Sequence, residues 1–316
     1  MRPVNETSQT NLSLYLVFKI IFEEYHMKKS TILAATVATL MAGSVAADTT
    51  VYGKVRLWLA MDDGAAGNKF IGNNSSRVGW KGSEDLGNGM SAVYQIETAV
   101  SDTQKAAMGQ RLIYGGIKGD FGQVAIGSQW TPSYALVRGK SDPFASVGAG
   151  GYAGNFFSGT RTDNAISYIN KFGDVKVAAA IVAAEGTDTL TDATDIAVSA
   201  PIGPITLGVA MQSTDAVTAK GDSWTAVDIG YKSGPIEAHL AIMGTDVLAD
   251  DWTIITAHYN TGSGKISAQI EDFGANTQTN VGYTHKLSKK TSLFVEMSTG
   301  DIAASEETNV GIHINF

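Results

Sequence analysis

The sequence predicts an all-β chain, a transmembrane antiparallel β-barrel of sixteen strands with a long inward-folded third loop, on three observations. Apolar and polar residues alternate strictly in segment after segment, and the last of these, VGIHINF at 310–316, runs to the final residue with Val310, Ile312, Ile314 and Phe316 on one face and Gly311, His313 and Asn315 on the other. The composition is 17% charged with a mean hydropathy of +0.01, too polar for a bundle of membrane helices yet what lipid-facing and lumen-facing residues average to when they alternate. The connections alternate between tight turns (KGDFG at 118–122, PIGP at 201–204, KSGP at 232–235) and longer polar loops (184–191, 213–221, 244–251), so the hairpins have two distinct ends.

In chain order, residues 1–26 stand before a complete secretory signal and read as an extension from an upstream start codon. Residues 27–46 are the signal peptide: Lys28 and Lys29, an apolar run from Ile32 to Ala42, then the small residues Ser44, Val45 and Ala46, with cleavage before Ala47 or before Asp48. The run from Leu12 to Phe22 contains Lys19 and is too short to span a bilayer. A single barrel domain then covers 47–316, with strands expected at 49–61, 75–82, 89–100, 107–118, 121–129, 161–171, 173–183, 192–201, 203–213, 222–232, 234–244, 250–260, 264–273, 276–286, 290–299 and 306–316. That leaves about 17 residues for each strand and its connection, enough for tilted membrane strands of about 9 to 11.

The clearest alternation sets Ile205, Leu207, Val209 and Met211 against Thr206, Gly208, Ala210 and Gln212, and Ile266, Ala268 and Ile270 against Lys265, Ser267, Gln269 and Glu271. The second face is small and polar, the inventory of a water-filled interior, and about sixteen strands leave an aqueous channel. Tyr52, Trp58, Trp80, Trp224, Tyr231, Trp252, Tyr259 and Tyr283 suit aromatic girdles at the two interfaces. The longest connection, 130–159, carries Phe144, Tyr152, Phe156 and Phe157, which favour a loop packed against the inside wall over a free one.

Four stretches resemble the general diffusion porins of Gram-negative outer membranes, the sixteen-stranded trimeric type: SSRVGWKGSEDLGNGMSAVYQIE (75–97), GQRLIYGGIKGDFGQVAIGSQW (109–130), SDPFASVG (141–148) and TRTDNAISYI (160–169). The resemblance implies a channel for passive diffusion of ions and small hydrophilic solutes, a homotrimer, contact with outer-membrane lipid and lipopolysaccharide, and insertion by the barrel-assembly machinery through a C-terminal signal at Ile312, Ile314 and Phe316. It also implies a constriction at which Arg77, Arg111 and Arg161 face the third loop, with Arg138, Lys140, Asp142 and Phe144 from the loop and Asp163 beside Arg161. Alternation supports an inward Arg161, which shares parity with Asp163, Ala165 and Ser167; the neighbours of Arg77 and Arg111 are mixed. A mid-strand arginine facing lipid would cost about 2 to 4 kcal/mol, which favours the lumen. The loops other than the third are short.

Other chemistries find little in this chain. It has no cysteine, so thiolate metal sites, a Cys nucleophile and disulfides are excluded. No cofactor, metal or nucleic acid is expected, the last because the formal net charge is -8. His239, His258, His285 and His313 fall in different strands with no activating pattern; GGIKGDFG (115–122) joins two strands and lacks a phosphate-loop lysine; TDVLADD (245–251) lacks the ligand spacing of an EF-hand. The reading is therefore a non-enzymatic channel in the cell outer membrane. Its arginines favour anions and its overall charge favours cations; the arginines prevail because a narrow opening focuses the field, while charges on distant loops are screened over about 8 to 10 Å. A substrate-specific channel and a non-conducting adhesive or structural barrel are the alternatives.

Overall fold

The computed structural model describes residues 48–61, 71–100, 108–147, 159–183, 191–215, 223–245, 251–301 and 306–316. The expected signal peptide and extension, Tyr152, Phe156 and Phe157, and most of 184–191, 213–221 and 244–251 lie outside the described residues.

The strands form one closed antiparallel sheet. They are β1 Asp48–Ala60, β2 in two pieces (Ile71–Asn73 and Arg77–Gly87), β3 Met90–Val100, β4 Met108–Gly119, β5 Gly122–Trp130, β6 Arg161–Phe172, β7 Val175–Val182, β8 Ala193–Ile202, β9 Ile205–Thr214, β10 Ser223–Ser233, β11 Ile236–Thr245, β12 Trp252–Asn260, β13 Gly264–Asp272, β14 Thr277–Lys286, β15 Thr291–Gly300 and β16 Glu307–Asn315. Both pieces of β2 pair with β1, so the segments make sixteen staves. Each strand pairs with the next, and β1 pairs with β16 to close the barrel. Tight turns are built at Gly87 to Gly89, Gly122, Gly173, Gly203 and Gly234, where positive φ removes most other residues from competition.

The faces separate as alternation requires. Ile205, Leu207, Val209 and Met211 are exposed, as are Ile126, Ile166, Ile255, Ile270, Val295 and Val310, and together they make an apolar outer surface. A large exposed apolar surface on a closed barrel is the surface of a protein solvated by lipid. The inner face of β7 to β12 also holds a buried apolar cluster: Ala178, Ala197, Ala210, Ala226, Ala241, Trp224, Met243 and Ile254 around Leu136 and Val137. Expected in a girdle, Trp224 is instead 1% exposed in this cluster, and Trp252 packs against it. Tyr52 likewise turns inward, its hydroxyl donating to Glu97 at 2.9 Å. Parity explains all three, because Tyr52 shares its face with Lys54 and Arg56, Trp252 shares its face with Ile254, and Trp224 shares its face with Ala226 and Asp228.

The closing ladder pairs Lys54 to Ala60 with Asn315 to Asn309, and Phe316 extends it by one residue. Gly53 and Phe316 exchange backbone N–H···O bonds of 3.1 Å in both directions, and the Phe316 ring lies over Gly53 so closely that an added Cβ would clash with it. A Gly53→Val change should therefore displace the ring and destabilise the seam by about 1 to 3 kcal/mol. The check is thermal: the variant barrel should lose its compact electrophoretic mobility in detergent at a lower temperature than the parent, and an unchanged transition would show that the ring relocates without cost.

Candidate functional site: a cationic wall facing a pinned loop

The sequence between β5 and β6 begins with a short helix, α1, at Pro132–Leu136. Thr131 caps it with its side chain and Pro132 occupies the first turn, where no backbone N–H is needed. A 3-10 turn follows at Arg138–Ser141. The segment is held by carboxylates and amides of the buried strand faces. Ser133 donates to Asp195 on β8 through its backbone N–H (2.9 Å) and its hydroxyl (2.7 Å), and Gln212 on β9 donates to the same hydroxyl at 2.8 Å. Gln269 on β13 donates to the Ser141 carbonyl at 2.7 Å. Glu296 on β15 accepts the backbone N–H groups of Ala145 (2.8 Å) and Ser146 (2.6 Å) and the Ser146 hydroxyl (2.7 Å). A carboxylate accepting several N–H and O–H bonds makes a strong charge-assisted anchor.

Opposite this segment, on β1, β2, β4 and the start of β6, five cations gather around a cavity of about 440 Å³: Lys54, Arg56, Arg77, Arg111 and Arg161. Asp142, Phe144, Trp130 and Tyr134 are also part of the lining. Glu97 on β3 lies among the cations, its carboxylate 2.6 Å from Arg111 Nε and 3.4 Å from Arg77 Nε. Arg161 stacks on Trp130 at 5.1 Å and Arg111 at 5.9 Å, while Trp130 in turn stacks on Tyr134 at 5.1 Å. Among the described residues Lys54, Arg56 and Arg161 are in no ion pair, and Arg56 Nε has no hydrogen-bond acceptor. Tyr134 donates to Asp142 at 2.7 Å. Burial, reinforced by the Asp142 charge, pushes the Tyr134 phenol up, so it remains a neutral donor well into alkaline solution.

The expected residues divide. Arg77, Arg111, Arg161, Asp142 and Phe144 meet at this cavity. Arg138 is fully buried, stacked on Tyr134 and donating to Ser133, Thr131 and the Gly159 carbonyl, so it clasps the two ends of the connection together. Lys140 is exposed. Asp163 is exposed and accepts a 3.4 Å bond from Gln110; the ladder shifts register between Gly127 and Gln129 and Asn164 has φ 50°, so parity breaks between Arg161 and Ala165. A second irregularity, between Glu97 and Thr98, places Arg111 opposite no β3 residue and turns it inward although it shares parity with the exposed Ile113. Bulges re-aim side chains in this way, which is why the neighbours of Arg111 look mixed in sequence. Lys54, Arg56 and Glu97 were missed; the first two could have been found from the alternation KVRLWL in β1, which gives them one face.

A family profile for Gram-negative porins matches residues 34–302. The outer membrane porin protein 32 of Delftia acidovorans is 26% identical over an alignment covering 85% of this chain and 88% of that protein. The major outer membrane protein P.IB of Neisseria meningitidis serogroup B is 34% identical over 112 residues, and the chain matches 33% of that relative's length. Among solved structures, an anion-selective porin from Comamonas acidovorans superposes with a TM-score of 0.70 at 20% identity, covering 85% of this chain and all of that one. The trimer form of OmpT of Vibrio cholerae gives 0.65 at 18%, covering 85% of this chain and 99% of that one. With a closed barrel, an apolar outer surface and a profile match across most of its length, the chain belongs to the Gram-negative porin family.

Proposed function

We propose that this protein is a water-filled outer-membrane channel for passive diffusion of ions and small hydrophilic solutes, that segment 131–147 forms its constriction, and that it prefers anions. The observation that carries this reading is the grouping of Lys54, Arg56, Arg77, Arg111 and Arg161 around one cavity whose described lining holds a single acidic residue, Asp142, with Glu97 behind Arg77 and Arg111 and Glu296 acting on Arg56. Such a ring of fixed charge lowers the barrier for counter-ions and raises it for co-ions, and it acts at the narrowest and least screened section. The solute is never chemically altered; the side chains supply field and width. The relative described as anion-selective supports the sign. By family likeness the channel is a homotrimer seated in lipid and lipopolysaccharide, inserted through Ile312, Ile314 and Phe316 by the barrel-assembly machinery after removal of the signal peptide 27–46.

The test is single-channel recording of the refolded protein in a planar bilayer under a salt gradient. A reversal potential favouring the anion, with closure in steps of three, is the expected result. A cation-favouring potential would discard the charge argument, and absence of conductance would discard the channel.

A further inference from the structure

The wall on which segment 131–147 lies is unlike the wall of cations facing it. Ala178, Ala197, Ala210 and Ala226 stand directly opposite one another across β7 to β10, forming a row of minimal side chains. Leu136 and Val137 pack on this row, with Val137 1% exposed. Two glycines complete the seat. A Cβ added at Gly208 on β9 would lie 3.2 Å from Val137 Cγ2, and one added at Gly282 on β14 would lie 3.1 Å from the Phe144 ring and 3.0 Å from Cγ of the anchoring Glu296. The segment is therefore in contact with glycines at two points, Val137 and Phe144, while Asp195 and Glu296 tie it down beside those contacts.

Resting on the channel reading above, we propose that Gly208 and Gly282 are the positioning residues that set the width of the pore. They are notches that receive Val137 and Phe144, and their depth fixes how far the segment stands off the wall. The physical reason is packing. A close-packed contact cannot absorb extra methyl groups in place, so volume added beneath the segment must move it away from the wall, toward the cavity in front of the cations. Neither glycine touches a permeating solute; each acts through the residue seated on it. The carboxylate anchors make the displacement a shift and not a release, because the bonds to Asp195 and Glu296 lie at separate points along the segment.

The experiment compares single-channel conductance and the size limit for neutral sugars in liposome swelling for the parent, Gly208→Leu, Gly282→Val and the milder Gly208→Ala, with Val209→Leu on the lipid face as control. Conductance of Gly208→Leu should fall by about half, with a smaller fall for Gly208→Ala, since flux follows the open cross-section at the narrowest point. Removing the seated side chain should restore width: Gly208→Leu with Val137→Ala should recover most of the parental conductance, and Gly282→Val with Phe144→Ala should match Phe144→Ala alone, because Phe144 also lines the cavity. Conductance at or above the parental level in the single variants, or loss not recovered in the paired ones, would overturn the proposal. Gly208→Ala keeps the test decisive should the leucine variant not fold. A parent that does not conduct would refute the channel reading itself, a separate failure.

Discussion

Charge reversal at Arg56 and Arg161, as the double variant Arg56→Glu and Arg161→Glu, is expected to convert an anion-favouring channel into a cation-favouring one. These two arginines are chosen because neither is in an ion pair among the described residues, so their charge is available to a passing ion, whereas much of the charge of Arg77 and Arg111 is spent on Glu97. A unit charge about 5 Å from an ion contributes about 1 to 3 kcal/mol for effective dielectric constants between bulk water and a protein surface. Two reversals should thus shift the permeability ratio by at least about tenfold, the equivalent of about 1.4 kcal/mol. The measurement is the reversal potential under a salt gradient, repeated at low and high ionic strength, where the difference between variant and parent should shrink as salt rises. A potential that stays anion-favouring in the double variant would mean that selectivity is set elsewhere along the pore.

Replacing Glu97 by glutamine should move two properties in opposite directions. Glu97 is 4% exposed and bonds to Arg111, Arg77 and the Tyr52 hydroxyl. Removing one partner of a buried ionic group leaves the others uncompensated, which costs about 3 to 5 kcal/mol in a dry interior; Arg77 reaches water, so about 2 to 3 kcal/mol is the expectation here. Urea unfolding in detergent should show that loss. The same change deletes the negative charge that offsets Arg77 and Arg111 beside the cavity, so the reversal potential should move further toward anions. A barrel weakened without any gain in anion preference would place Glu97 in a purely structural role, and a gain without weakening would show that water in the lumen solvates the freed arginines.

The barrel was legible because alternation is a local property. In β9 and β13 the order of side chains alone separates the lipid face from the inner face, and the exposed Leu207, Val209, Ile266 and Ile270 fall where that order puts them. The same rule failed where the backbone departs from the regular pleat. Arg111 faces inward only because a register shift beside Glu97 re-aims it, and Asp163 leaves the face of Arg161 because the β5 to β6 ladder slips near Asn164. Arg138 could not be separated from the pore-lining arginines in sequence, since its burial comes from contacts with Thr131, Ser133 and Gly159 that exist only once the connection has folded back on itself.

By itself, then, the sequence determined that this chain is a barrel with an apolar exterior, a polar and small-residue interior, a long third connection and a C-terminal strand built into the seam. Period-two patterning and turn chemistry act over a few residues and need no distant partner. Only the tertiary structure decided that Glu97 is shared by two of the arginines, that Lys54 and Arg56 join the others at one cavity, and that Val137 and Phe144 rest over Gly208 and Gly282. Those pairings join residues far apart in the chain, and they depend on strand register, bulges and the path of one loop, which only the closed sheet brings into contact.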